Sequence, residues 1–483
     1  MKVLFTHSYF YRYDPKQWKD KRPYPPLGTI QAAAVIREAG HDVSLFDVAL
    51  KEGPEEILEI FEKEQTELLV IYDDGFNYLT KMCLTNMREA AFKMAIWAKE
   101  RGIKTVVCSS DSTDHFEKYL DNGADFVILG EGEETLRDLV QKDLDPTTIS
   151  GLVYNSNDGS IRNAPRSVLR DLDALPLPAW DLVNIDEYAE IWRKQWGFFS
   201  LNIATTRGCP FKCNWCAKPM YGNRYNSRSP EHVADEIALL MEQYAPDHFW
   251  MCDDIFGLKP GWAQEFNKVV NERELKFNYK IQSRVDLLLK EDTIDALVSS
   301  GLQEVWVGAE SGSQKILDAM DKGTTVEQIY EATYLLKKKD VRVGFFLQFG
   351  YLGETKEDIL KTLEMVDDLL PDDIGVSVSY PLPGTGFYEK VKGDLIEKAN
   401  WTDSDELALM FSNTYLPEFY KQLHRYVHKR YRRKQGIENI KFLLKNPRNI
   451  DKARIRSAVA TLYYIPMSLV EWTRLNKTEK EVV

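Results

Sequence analysis

No stretch of about 18 consecutive apolar residues occurs anywhere in this chain, which leaves no candidate for a membrane-crossing helix. Cysteine is scarce, with six among 483 residues, so the chain is not a small disulfide-stapled scaffold of the secreted kind. Positive charge is in deficit: 62 Lys and Arg stand against 75 Asp and Glu, a net −13, which argues against general nucleic-acid binding. The opening Met-Lys-Val-Leu-Phe-Thr-His-Ser reads as a first strand, because its apolar stretch is too short for a secretory signal. Together these absences point to a cytoplasmic protein. An apolar fraction of 44% is ordinary for a globular chain, and the length calls for two or three domains.

What charge there is lies unevenly. Residues 421–483 hold sixteen Lys or Arg against five Asp or Glu, about +11, so the first 420 residues carry about −24. Such asymmetry gives the tail a task of its own, either on an anionic surface or against the acidic body.

Three of the six cysteines fall within eight residues. Cys209, Cys213 and Cys216 are spaced Cys-x-x-x-Cys-x-x-Cys in the stretch Thr205–Gly222. Three thiolates this close on one loop suit a 4Fe–4S cluster, in which each takes one iron and the fourth iron stays open to a non-protein ligand. A structural zinc site wants a fourth Cys or His at finger-like spacing, and neither His232 nor His248 completes one. A disulfide would leave one thiol odd. Zinc and metal-free cysteines stand as the alternatives.

The loop resembles that of the radical S-adenosylmethionine (radical SAM) superfamily. The resemblance implies that Cys209, Cys213 and Cys216 hold the cluster and that SAM chelates the open iron through its amino and carboxylate groups. Trp215 occupies the position before the last cysteine where that family often has an aromatic. Reduction of the cluster would cleave SAM to a 5′-deoxyadenosyl radical, with an external electron donor such as a flavodoxin or ferredoxin.

Upstream, residues 1–150 alternate strands (Lys2–Thr6, His41–Phe46, Leu68–Tyr72, Lys104–Cys108, Asp125–Leu129) with helices, the pattern of an α/β, Rossmann-like parallel sheet. Ligands of such sheets sit beyond the carboxyl ends of the strands. Three ends are rich in small or turn-forming residues: Asp73-Asp74-Gly75, Ser109-Ser110-Asp111-Ser112 and Gly130-Glu131-Gly132-Glu133. Any sheet of this class has such loops. Their order, after Pro25-Pro26-Leu27-Gly28 and about 75 residues before the cysteines, resembles the cobalamin-binding radical SAM class. That resemblance implies cobalamin held near Asp74, Gly75, Ser109, Ser110, Gly130, Glu131 and Gly132. The Asp-x-His-x-x-Gly motif of many cobalamin proteins is missing, since Asp114-His115 lacks its spacing. The class then implies cobalamin without a His ligand, its lower face covered by the loops of this domain.

Residues 151–195 read as a linker: a small hairpin around Asn157-Asp158-Gly159, then an extended connector through Pro176 and Pro178. Residues 196–390 read as six strand–helix units, a partial (β/α)6 barrel whose chemistry belongs at the carboxyl ends of the strands. Those ends carry Asp253 and Asp254, Ser283 and Arg284, Glu310, and Gln348 through Gly350. Carboxylates and serine suit the ammonium and diol of SAM, arginine its carboxylate, and glycine lets backbone reach adenine. By resemblance Asp254 lies where the family binds the SAM amino group, Ser283 and Glu310 where it contacts methionine or ribose, and Gln348 to Gly350 near adenine. The family's Gly-Gly-Glu after the second strand is replaced by Cys252-Asp253-Asp254. Helix capping is the competing role for each polar residue. Cys252 is not counted as a ligand, and Cys83 and Cys108 read as core or helix cysteines.

Residues 391–483 read as a basic helical region. Trp401–Tyr420 looks helical though broken by Pro417, Lys421–Lys434 is a basic helix, and Leu462–Trp472 is apolar, short and broken by Pro466. The apolar patch is expected to cap the barrel floor or the substrate channel. Peripheral membrane contact and RNA binding are the alternatives, though no RNA-binding fold is recognisable. The resemblance implies a cobalamin-dependent enzyme that methylates an unactivated carbon of a small molecule. Its alternatives are oxidation or ring closure of the anaerobic magnesium-protoporphyrin monomethyl ester cyclase type, and a cobalamin sensor without catalysis. The aromatic content and apolar tail hint at a hydrophobic substrate such as a lipid or tetrapyrrole.

Overall fold

The computed structural model describes residues 1–76, 85–216, 220–382, 384–395, 411, 413–446 and 451–478. Its first sheet has seven strands in the order β2-β1-β3-β4-β5-β6-β7. These are β1 (Lys2–Thr6), β2 (Asp42–Phe46), β3 (Leu68–Tyr72), β4 (Lys104–Cys108), β5 (Phe126–Ile128), β6 (Leu152–Ser156) and β7 (Gly159–Arg162). The first five run parallel, from Lys2 opposite Asp42 at one side to Val106 opposite Phe126 at the other. β3, Leu-Leu-Val-Ile-Tyr, is buried at all five positions, as a central strand covered by helices on both faces requires. The hairpin predicted in the connector does form, but it continues this sheet: β6 pairs antiparallel with β5, Phe126 opposite Tyr154.

The connector beyond it is extended only as far as Ala179. A helix, Ile185–Trp196, follows that the prolines had masked, with Tyr188, Ala189 and Trp192 buried.

The second sheet has six parallel strands in simple order: β8 (Ser200–Ile203), β11 (His248–Met251), β12 (Asn278–Ser283), β13 (Leu302–Glu310), β14 (Arg342–Phe349) and β15 (Asp373–Val378). β9 (Thr206–Arg207) and β10 (Asn226–Ser227) form a two-residue antiparallel pair that closes the cysteine loop at its base. The helices Pro230–Tyr244, Val326–Lys338 and Lys356–Leu369 run as predicted, the last two opened by capping boxes at Thr325 and Thr355. One continuous apolar core joins the faces of the two sheets, from Phe5 and Val70 to Leu201 and Phe249.

The C-terminal region differs most from expectation. The predicted helical stretch at 401–410 and 412 lies outside the described residues. Pro417 does not break a helix; it opens one, Pro417–Lys445, from the first-turn position where proline needs no hydrogen bond. A second long helix, Lys452–Thr478, contains Pro466 and continues through it. The two pack side by side, Gly436 lying so close to Thr461 that a β-carbon there would sit 1.8 Å from Oγ1. The first helix lies on the second sheet's last units, with Arg430 2.8 Å from Asp367 and the Tyr431 hydroxyl donating to the Pro371 carbonyl. The apolar residues of the second helix divide: Leu475 is buried in the core and Trp472 packs against it. Leu462 and Leu469 face outward. No described helix is long and apolar enough to cross a membrane.

Candidate active site

Cys209, Cys213 and Cys216 are half-buried, none of them in a disulfide, on the loop between β9 and β10. Gly208, at φ +77°, lets the chain leave β9 against the carbonyl of Arg224, where any β-carbon would collide at 2.2 Å. Asp253 holds the base of the loop. It is buried and accepts from the backbone N–H groups of Thr205 and Thr206, both at 2.7 Å, and from the Thr205 hydroxyl at 2.6 Å. Burial outweighs these bonds and lifts its carboxyl to about 6.

Asn214, between the second and third cysteines, anchors the tip. Its side-chain amide donates to the Ala319 carbonyl and to Asp321, both at 2.8 Å, and accepts from the Tyr351 hydroxyl at 2.6 Å. Its backbone N–H bonds the Met320 carbonyl, and its carbonyl accepts from the Phe387 N–H. One asparagine thus fixes the loop to three strand–helix units.

Cations gather beside the thiols. Arg284 Nη1 lies 4.0 Å from Cys213 Sγ, its guanidinium stacked 3.7 Å above the Phe211 ring. Lys322 is buried and paired with Glu310 at 2.8 Å. Burial pulls its ammonium pKa down, but Glu310 and Cys213 more than restore it, so Lys322 stays charged. Glu310 itself stands at φ +58°, a strained setting for a residue other than glycine. The register slips between Gly308 and Glu310, a bulge that turns the Glu310 side chain toward Lys322. A β-carbon at Gly308 would meet Lys322 Nζ at 2.5 Å and Glu310 Oε1 at 2.6 Å, so a side chain there would push this ion pair aside.

Among the described residues, buried polar atoms without a hydrogen-bond partner include Trp215 Nε1 on the loop and Gln348 Oε1 on β14. Gln348 Nε2 donates to Ser379 at 3.1 Å, which leaves its carbonyl oxygen as an open acceptor. Such atoms can be completed by a ligand or by a buried water. Ser283 and Gly350, also predicted, bond within the chain. Ser283 donates to the Phe256 carbonyl. Gly350, at φ +76°, gives its N–H to Glu354 and its carbonyl to Asn413. Asp254 is exposed, and the buried carboxylate of that pair is Asp253. Among the described residues no three His, Cys, Asp or Glu side chains are gathered tightly enough for one metal ion. A cube puts each thiolate on a different iron and needs no such convergence.

Two of the three strand ends of the first sheet, at Gly75 and at Gly130 to Glu133, meet this loop across a narrow seam. Asp74 accepts from the N–H groups of Gly28 and Phe76. Gly75 lies under Tyr221, whose hydroxyl would be 3.2 Å from a β-carbon. Ser109 caps the Ser110–Asp114 helix through a reciprocal pair of 2.9 Å bonds with Ser112, and Ser110 is buried in its first turn. Gly130, at φ +78°, stands against the Met220 carbonyl, and Gly132 against Cys108 and Tyr72. Arg207, at the root of the cysteine loop, reaches across to Glu131 at 2.6 Å and Glu133 at 2.8 Å. The Phe76 and Tyr221 rings stack 5.6 Å apart beside it. A small cavity of about 20 Å³ beside the seam, lined by Leu27, Phe76, Leu172, Ala204, Thr206 and Arg207, has room for about one water molecule.

Residues 203–366 match the family model of the radical SAM superfamily. The chain carries a radical SAM domain. An uncharacterized methyltransferase of Pyrococcus horikoshii is 28% identical over 78% of this chain and 81% of its own length. The anaerobic magnesium-protoporphyrin IX monomethyl ester cyclase of a Synechocystis strain is 23% identical over 82% and 79%. Among solved structures, the cobalamin-dependent radical SAM enzyme OxsB with aqua-cobalamin bound superposes with a TM-score of 0.75 at 17% identity, over 97% of this chain and 71% of that one. The radical SAM methyltransferase TsrM of Kitasatospora setae, with cobalamin and a 4Fe–4S cluster, gives 0.66 at 18%, over 81% and 74%. Likeness at these identities is one of fold: an N-terminal, mostly parallel sheet, a second parallel sheet and a helical C-terminus.

Sequence reasoning placed Asp254, Ser283, Glu310 and Gln348 around the radical SAM domain's strand ends. It gave no role to Asn214, Lys322 or Tyr351. Asn214 was visible inside the cysteine motif, but nothing local marks a residue whose partners lie 105 and 137 positions away.

Proposed function

We propose that the chain is a radical SAM enzyme that methylates an unactivated carbon of a small molecule, with cobalamin as second cofactor. Cys209, Cys213 and Cys216 hold the cluster in this reading. Arg284 and Lys322 place positive charge beside Cys213. Asp254, Ser283, Glu310, Gln348 and Gly350 line the SAM site, and the open carbonyl of Gln348 accepts from the nucleoside. The cluster with SAM supplies a carbon-centred radical, and cobalamin a methyl group, when they are bound. Of the expected domains 1–150, 151–195, 196–390 and 391–483, the first takes in the β6–β7 hairpin and so runs to Arg162, with the rest of 151–195 as connector, 196–390 for the cluster and SAM, and 391–483 as the basic helical region. An external electron donor and a hydrophobic substrate belong to the same reading.

The observation that carries it is the placement of the cysteine loop. The loop, with cations beside it, packs directly on the glycine-bearing strand ends of a parallel sheet at Gly75 and Gly130. That sheet shares its fold with cobalamin enzymes. The polar and glycine-rich ends suit a cobalamin site in kind.

The test is iron and cobalt content after anaerobic purification with cobalamin supplied, for wild type and the triple variant Cys209→Ala, Cys213→Ala, Cys216→Ala. About four irons and one cobalt per chain are expected, with only iron lost in the variant. Iron without cobalt would end the cobalamin assignment. The cyclase reading has its own support in the 23% identity across 82% of the chain. Products separate the two: methyl transfer yields S-adenosylhomocysteine together with 5′-deoxyadenosine, and oxidation yields the latter alone.

A further inference from the structure

The Lys452–Thr478 helix is amphipathic in the inverted sense. At 3.6 residues per turn, Ile455, Val459, Leu462, Tyr463, Pro466, Leu469 and Val470 fall on one side and Thr461, Ser468, Glu471 and Leu475 on the other. In a helix that belongs only to its own fold, the apolar side faces in. Here Thr461 and Glu471 are 1% and 2% exposed, whereas Val459, Leu462 and Leu469 are 62%, 78% and 58% exposed. The inward side is held by polar contacts. Glu471 accepts from Gln422 and Lys429, Arg433 donates to Ser468 at 3.1 Å, and Asn439 to Ser457 at 3.0 Å. Leu444, on the neighbouring helix near the turn of the hairpin, is also 78% exposed.

Charge identifies the occupant. Residues 457–470 carry no Asp, Glu, Lys or Arg, and this uncharged middle is flanked by Lys452, Arg454 and Arg456 before it and Arg474 and Lys477 after it. An apolar stripe with cations at both ends suits a surface that is oily in depth and anionic at its face. A second copy of the chain would set these cationic rims against each other. No described helix is long and apolar enough to span a bilayer, so the helix lies along it. We propose that the C-terminal hairpin docks this protein on an anionic lipid surface, with the outward stripe of Lys452–Thr478 in the interfacial layer. This stands on the hairpin alone and holds or fails independently of the chemistry at the cysteine loop.

Co-sedimentation of the full-length chain tests it. Vesicles of phosphatidylcholine are compared with vesicles of three parts phosphatidylcholine to one part phosphatidylglycerol. Wild type is expected in the pellet with the anionic vesicles, less with the neutral ones, and less again at high salt. Two double variants, Leu462→Glu with Leu469→Glu and Lys452→Glu with Arg456→Glu, alter only outward side chains. Each is expected to lower partitioning about tenfold or more with unchanged circular dichroism and melting. Wild type left in the supernatant with both vesicles overturns the proposal. So does a concentration-dependent dimer, seen by light scattering, that the leucine variant abolishes, because the stripe would then be an interface between copies.

Discussion

Glu354 shows how far burial can move one group. It lies at the end of the β14 loop, accepts from the Gly350 N–H at 2.6 Å, and has its other oxygen buried without a partner. Burial raises its carboxyl to about 8, with Asp358 adding to the rise. The folded chain therefore holds this proton at pH 7, whereas the unfolded chain releases it near pH 4.5. Stability from this group is full below about pH 4.5 and falls as pH rises toward about 8, by on the order of 2–4 kcal/mol. Glu354→Gln keeps the uncharged shape and the acceptor for Gly350. Its melting temperature should match wild type near pH 5 and exceed it near pH 8, measured by thermal unfolding across that range. The three cysteines were legible in the sequence because their ligand chemistry is a property of spacing along a loop. Asp253 was named, but its neighbour Asp254 was preferred, because two adjacent carboxylates look alike until one is seen buried against Thr205 and Thr206.

At the scale of elements, strands β8 and β11 to β15 and the helices between them were legible from apolar periodicity and caps. Pro417 and Pro466 were misread, because a proline's effect depends on its position in a helix and on what surrounds it. The C-terminal hairpin depends on Gly436. In an isolated helix Gly436→Ala would stabilise by about 1 kcal/mol. Here the new β-carbon would lie 1.8 Å from Thr461 Oγ1 and 2.9 Å from the Ser457 carbonyl. The variant should instead lose about 1–3 kcal/mol and open the hairpin to proteolysis. Adding Thr461→Ala removes the nearest atom and should restore part of the loss. Limited proteolysis of the single and double variants checks both outcomes.

For the whole molecule, Arg207 is the tie between the two sheets. Burial alone would lower its pKa, yet Glu133 and Glu131 hold it charged. Arg207→Ala strands two carboxylates in the seam and should cost about 3–5 kcal/mol, with Arg207→Lys intermediate because it keeps the charge but loses the fork. Denaturant melts of the three proteins test this. Trp180, whose indole donates to Glu236 at 2.9 Å, and Trp192, whose indole donates to the Pro23 carbonyl at 2.7 Å, tie the connector to both bodies. By itself the sequence determined the cysteine motif, the alternation of strands and helices, and the acidic body with its basic tail, because each is written in neighbouring residues. Only the tertiary structure decided that Asn214 anchors the loop, that Arg207 closes the seam, and that the last helix turns its apolar side outward. Those facts rest on partners far away in the chain, and the free energy of burying a group depends on what it meets there.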